Sequence, residues 1–167
     1  MFDIGEELTK HWRSQGMATG KGSTEAEIGR FEQIHKVSLP QDMRNYLLVV
    51  DGMDMTLTRD YQDRNGFSFW PLSKIRSAAD EAKRHPEGYW GFPHQDALFV
   101  FADYLDWCWA YAIRLESSLT EDSPVFLLGK KEFPIRIGNS FREFAELYLI
   151  DSPLLYDPPL TNSPRTN

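Results

Sequence analysis

The stretch Ser23-Thr24-Glu25-Ala26-Glu27-Ile28-Gly29-Arg30-Phe31-Glu32, followed by Leu39-Pro40-Gln41-Asp42-Met43-Arg44-Asn45-Tyr46-Leu47-Leu48 and then Asp51-Gly52, decides the fold. Thr24 with Glu27 three residues later is a capping box: each side chain satisfies an orphan amide of the first turn, so a helix starts there. Ile28, Phe31, Ile34 and His35 follow at spacings of three and four and make its inward face. Pro40, whose fixed φ suits a first helical turn, opens a second helix with Met43, Tyr46, Leu47 and Val50 inward. Gly52 can take the left-handed conformation that stops it. A matching unit lies toward the other end of the chain. There Asn139 or Ser140 can cap a helix whose inward face is Phe141, Phe144, Ala145, Tyr148 and Leu149, and Pro153 marks where it has ended.

Working outward, Ile4, Leu8 and Trp12 at spacings of four give an N-terminal helix, followed by a glycine-rich linker from Gly16 to Gly22. Asn65-Gly66 is a hairpin-type turn ahead of the strand-like Phe67-Ser68-Phe69-Trp70. Pro71 to Arg84 reads as a helix capped by Ser73, with Ile75, Ala78, Ala79 and Ala82 on its apolar face. Tyr89 to His94 is an aromatic loop too rich in Gly and Pro to be regular. Ala97 to Ala102 is a short apolar strand, turned by Asp103-Tyr104-Leu105-Asp106 into Trp107–Leu115, whose period of two is the clearest strand pattern present. Val125–Leu128, the turn Gly129–Glu132 and Phe133–Ile137 make a second hairpin. The proline-bearing segment after Ile150 cannot continue a helix and wraps the surface or frays. Helices at the ends with antiparallel hairpins between them imply an α+β domain, a single mostly antiparallel sheet covered by N-terminal, middle and C-terminal helices. The expected organisation is helix and linker over residues 1–22, the domain proper over 23–150, and a tail over 151–167.

Taken together and in this order, three elements resemble the SUKH superfamily, whose members include fungal cell-wall regulators of the Smi/Knr type and many bacterial immunity proteins. They are the helix containing Glu25, Ile28, Phe31 and Glu32, the Leu39-Pro40 helix ending in Asp51-Gly52, and the closing Ser140-Phe141-Arg142-Glu143-Phe144 helix. The resemblance runs from about Thr24 to Leu149. It implies the same α+β architecture and a noncatalytic, protein-binding role. This sequence departs from its relatives at the central turn, Asp103 to Asp106, where they often carry glycines.

A chain of 167 residues fits one domain; at that length folding buries roughly 70% of the extended surface, a sufficient core without metal or disulfide staples. The single cysteine, Cys108, excludes an intramolecular disulfide. Its place between Trp107 and Trp109 in a strand pattern suits a small buried or half-buried residue. The N-terminus carries Asp3, Glu6 and Glu7 without an apolar core, and nothing approaches the length of a membrane span, so a cytoplasmic protein is expected. A net charge of −7 argues against nucleic acid as a partner, because phosphate contacts need a clustered basic surface. The acidity is concentrated: Asp96, Asp103, Asp106, Glu116, Glu121 and Asp122 stand against Arg114 alone between residues 96 and 122. Such a block either aids solubility or steers a basic partner.

Enzyme templates find no counterpart here. The sequence has no zinc-type Cys/His spacing, phosphate-binding glycine loop or nucleophile elbow. His11, His35, His85 and His94 fall in different elements, and only His94, in the aromatic loop, merits attention. Asp51, Asp54, Asp60 and Asp63 lack the alternation and closing Glu of a calcium loop and read as solvated loop acids. Asp103 and Asp106 could pair as carboxylates but bracket a turn, a common structural use of Asp. No cofactor or metal is expected. Trp90 and Tyr104 are the aromatic residues best placed to anchor a partner, since interface hot spots favour Trp and Tyr. The expected binding set is Trp90, Asp103, Tyr104, Asp106, Glu116, Glu121 and Asp122, directed at a protein toxin or other basic protein. The leading expectation is an intracellular immunity protein. A regulatory scaffold like the fungal members is the alternative, and a small enzyme using His94, Asp103 and Asp106 is the third.

Overall fold

The computed structural model describes residues 3–54, 62–84, 95–120 and 122–159. Among the described residues five helices, α1 (Ile4–Ser14), α2 (Glu25–His35), α3 (Gln41–Val49), α4 (Ala78–Arg84) and α5 (Phe141–Leu149), accompany six strands. These are β1 (Phe67–Phe69), β2 (Arg76–Ser77), β3 (Leu98–Tyr104), β4 (Trp109–Arg114), β5 (Val125–Leu128) and β6 (Ile135–Gly138), and a 3-10 turn follows at Pro153–Leu155. The sheet runs β1-β3-β4-β5-β6, with β2 also on β3, and every pairing is antiparallel. The chain is an α+β protein, as the alternation of amphipathic helices and hairpins implies.

Local chemistry sets the helix boundaries. The Thr24–Glu27 capping box forms in both directions, at 2.7 and 3.2 Å. Ser140 caps α5 by accepting from the Glu143 N–H, while the Asn139 N–H donates to the Glu143 carboxylate. Asp3 caps α1 in the same way. Pro40 occupies the cap position of α3, and α3 ends at Val49, with Gly52 turning the chain further on at φ +69°.

Four readings of the sequence change. Pro71–Arg84 is not one helix: Arg76 and Ser77 pair with Val100 and Phe99 of β3, and α4 begins only at Ala78, the Ser77 hydroxyl accepting from the Asp80 N–H. Demand for hydrogen bonds on the free edge of β3 overrides the helical spacing there. Asn65-Gly66 does not fold β1 back on its neighbour; β1 pairs instead with β3. The Gly16–Gly22 segment lies against the fold, bridging Thr19 to Met53, and a Cβ on Gly22 would stand 1.9 Å from the Leu48 carbonyl oxygen. Ile34 is 67% exposed, because it lies about 120° around the helix from Ile28 at 100° per residue.

α1, α3 and α5 pack on one face of the sheet. Phe67, Phe69, Phe101 and Tyr111 meet Phe144 or Tyr148 of α5 there, Phe101 being turned to this side by a bulge between Val100 and Ala102. The centre of this layer is polar. The Trp12 indole N–H donates to the Tyr148 hydroxyl at 2.9 Å, and that hydroxyl donates to Asp63 Oδ2. Asp63 Oδ1 meanwhile accepts the amides of Asn65 and Phe67. Asp63 is therefore a buried structural acid, not a solvated loop residue. Burial and the neighbouring Asp63 raise the Tyr148 pKa, so this phenol keeps its proton to donate.

Tyr148→Phe should destabilise the chain by about 1–3 kcal/mol, because the Trp12 N–H and the Asp63 carboxylate each lose a buried partner. In thermal unfolding that is a fall of about 2–10 °C for a domain of this size; an unchanged melting temperature would show that the triad adds nothing.

Candidate protein-binding face

β3 and β4 are joined by Leu105–Cys108, and the backbone of this turn is unusual. Leu105, Asp106 and Trp107 are left-handed in succession, at φ 46°, 49° and 72°. Left-handed backbone costs an L-residue about 1–2 kcal/mol, so the conformation has to be enforced by its surroundings. Several contacts do so. The Leu105 N–H donates to the Gly66 carbonyl at 2.8 Å and the Cys108 N–H to the Tyr104 carbonyl at 2.9 Å. Gly66 leaves room for Leu105; a Cβ on it would stand 2.5 Å from Leu105 Cδ2.

Asp103 holds the turn from beneath. It points away from the α1–α3–α5 layer and is 3% exposed. Its Oδ2 accepts the Trp70 indole N–H at 2.7 Å and its Oδ1 the Trp107 backbone N–H at 3.3 Å. Trp107 lies edge-on to Trp70, ring centres 4.7 Å apart. Burial raises the Asp103 pKa above the usual carboxylate range, opposed by the two N–H donors.

Of the residues expected to bind a partner, Asp103 is thus withdrawn from the surface: its carboxylate is committed to Trp70 and Trp107. Tyr104 is half-buried, stacked on Trp109 at 4.3 Å and met edge-on by Tyr156. Trp109 in turn carries the Lys130 ammonium 5.5 Å above its ring and donates its indole N–H to the Tyr111 hydroxyl. Asp106, Glu116 and Asp122 are exposed. Trp90, Glu121, Asp60, His85 and His94, with the whole Tyr89–His94 loop, lie outside the described residues. Cys108 is exposed in the turn, not half-buried in a strand, because β4 begins only at Trp109.

The acids do not form one patch. Asp106 caps the turn end of the β3–β4 hairpin. Asp96, Glu116 and Asp122 flank its opposite end, where Leu115 N–H bonds the Ala97 carbonyl and Arg114 N–H the Pro124 carbonyl. The seven residues of β3 between them span roughly 20 Å.

The sequence reading missed Tyr156 and Lys130, which pack the chain's last described segment against the aromatic residues of this end. Lys130 donates to the Tyr156 carbonyl, and the Tyr111 hydroxyl donates to the Leu155 carbonyl at 2.8 Å. Only the aromatic side chain of Tyr156 after a helix stop hinted at this. Among the described residues no three His, Cys, Asp or Glu side chains are grouped to hold a metal, and no helix is long and apolar enough to cross a membrane.

Two outcomes follow for the turn. Leu105→Gly should leave stability unchanged or raise it by up to about 1 kcal/mol, although glycine elsewhere costs about 0.5–1 kcal/mol; a clear loss in urea unfolding would remove the strain argument. The second concerns pH. A carboxyl whose folded pKa lies above its unfolded value of about 3.9 contributes stability that is complete below that value and is lost as pH rises through the folded pKa. The stability of the native chain relative to Asp103→Asn should therefore decline from pH 3 toward pH 7 in parallel denaturation series. A difference that grows with pH would mean that the two donors outweigh burial.

A search of curated proteins returned no match. The model of the SMI1 / KNR4 family (SUKH-1) matches residues 22–147, from just before the capping box of α2 into the last turn of α5. That region holds the capped helices, the sheet and the β3–β4 turn, and the chain belongs to the SMI1 / KNR4 (SUKH-1) family.

Proposed function

We propose that this chain is a noncatalytic immunity protein that binds a basic protein toxin and neutralises it by covering its active site. The observation that carries the reading is the strained β3–β4 turn, which holds Leu105, 47% exposed, and Asp106 outward on a fixed backbone. Strain of this kind is retained where a conformation has to exist before a partner arrives, and a preformed binding element loses less entropy on association. Half-exposed Tyr104, Trp107 and Trp109 beside the turn supply the apolar contact that slows release.

Glu116 and Asp122, a hairpin length away, act at longer range. Exposed charges need no contact to raise the rate of encounter with a cationic surface. Family membership supports a binding module over an enzyme, and the fate of Asp103 weakens the paired-carboxylate alternative, since that group is buried and hydrogen-bonded. On this reading the protein acts in the cytoplasm, without a cofactor.

The test begins from gene neighbourhood: if a large secreted protein with a variable C-terminal domain is encoded beside this gene, that domain is the toxin to use. Co-expression should rescue growth of cells producing that domain. In stopped-flow mixing, Asp106→Lys with Glu116→Lys and Asp122→Lys should slow association by about tenfold or more and flatten its salt dependence. Failure of rescue would end the immunity reading in favour of a regulatory scaffold. Rescue with an unaltered association rate would retain immunity and discard the role of these acids.

A further inference from the structure

A pocket of about 270 Å3 opens between the outer side of α2 and the segment from Leu72 to Ile75. Pockets for small molecules run from about 300 to 1,000 Å3, so this one is sized for a single side chain. Its floor is apolar: Phe31, Leu72 and Ile75 are buried there, and Ile34 stands on the rim, 67% exposed. Two carboxylates share its wall, Glu27 from α2 and half-buried Asp51 from the Asp51-Gly52 pair that follows α3.

Asp51 has neutral donors and no counter-ion among the described residues. Its Oδ1 accepts the Leu72 N–H at 2.6 Å, and the Ser23 hydroxyl donates to it as well. The charge that acts on it is Glu27, of like sign, and burial pushes its carboxyl above the usual range. The buried Tyr46 hydroxyl nearby makes no hydrogen bond to it. Glu27 accepts from the Thr24 N–H and hydroxyl, and feels the exposed Arg30 one turn on. Burial lowers the His35 pKa, which leaves that ring neutral at pH 7. Arg76 and Lys83, in the depression beyond His35, are paired with Glu81 and Asp80. Two carboxylates against one guanidinium leave the pocket itself one charge negative.

We propose that this pocket receives a lysine side chain of the basic partner, its aliphatic stem against Phe31, Leu72 and Ile75 and its ammonium on Asp51, with Glu27 in support. A carboxylate set among apolar side chains lacks a cation above all, because a nearby positive charge offsets the cost of burying the ionised form. Lysine fits better than arginine. The Leu72 N–H already takes one side of the Asp51 carboxylate, whereas a guanidinium favours two parallel bonds and an ammonium acts as a point charge. The inference rests on the immunity reading for the identity of the partner, and deepens it with a specific contact. The His35 end of α2 leads to Ser38, whose N–H donates to the Glu116 carbonyl at 2.7 Å, so the pocket opens toward the acids that draw a basic surface in.

The experiment needs no toxin, so its failure is distinct from failure of the immunity reading. Nα-acetyl-lysine methylamide is titrated into the full chain beside its norleucine counterpart, which keeps the stem and lacks the ammonium; amide NMR shifts give affinity and location. The lysine compound should saturate its site below about 50 mM, an affinity suited to one side chain, and shift amides of α2 and residues 71–75. The norleucine compound should bind about tenfold more weakly, the worth of one charge-assisted hydrogen bond. Asp51→Asn keeps an acceptor for the Leu72 N–H and should also weaken lysine binding by about tenfold. Glu27→Gln keeps the capping box and should weaken it by about twofold, while Arg30→Gln, which removes an exposed like charge, should strengthen it by about twofold. Circular dichroism checks that the variants fold. No saturation, equal binding of the norleucine compound, full binding by Asp51→Asn, weaker binding by Arg30→Gln, or shifts confined to another surface would each overturn the proposal.

Discussion

Strand β3 has to satisfy its backbone along both edges while both of its faces are buried, and the rest of the structure follows from how it does so. On one edge it is paired by β4 over its whole length. On the other, no single neighbour is long enough: β1 covers Ala102–Tyr104 and β2 covers Phe99–Val100, with the Trp70 N–H donating to the Phe101 carbonyl in the interval. The bulge in β3 sits at that interval and turns Phe101 toward α5. Because the second face is also closed, the acid at position 103 cannot reach water and takes two N–H donors instead. Those donors come from the residues that fix the adjoining turn. The demand for satisfied hydrogen bonds in the sheet thus reaches the surface as a rigid, left-handed loop.

This dependence explains which parts of the fold were legible in the sequence. Helix caps are local agreements between residues three positions apart, and Thr24 with Glu27, Ser140 with Glu143, and the apolar positions of α1, α3 and α5 all express them. The β3–β4 and β5–β6 hairpins are nearly as local. Arg76 and Ser77 were read as helical because their own neighbours favour a helix; the vacant edge of β3, far along the chain, makes them a strand. Asp63 gave no sign of burial, since its partners Tyr148 and Phe67 come from other elements. The candidate site was the least legible part. Six acids close in sequence imply a patch, but a hairpin folds its chain out and back. Residues near the turn and residues near the strand ends are therefore separated by the length of β3, while Asp103 is drawn inward.

The family match and the physical unit do not begin at the same residue. The match starts at residue 22, yet Ile4, Leu8 and Trp12 are buried, and α1 packs on both α3 and α5. Trp12 lies edge-on to Phe69 at 5.1 Å besides bonding Tyr148. A chain trimmed to the matched region would lose Trp12 and Tyr148 together, opening the helical layer over β1 and leaving Asp63 Oδ2 without its hydroxyl donor. The unit that stands by itself is wider than the unit of shared descent: the extra N-terminal helix is, in structural terms, part of the core.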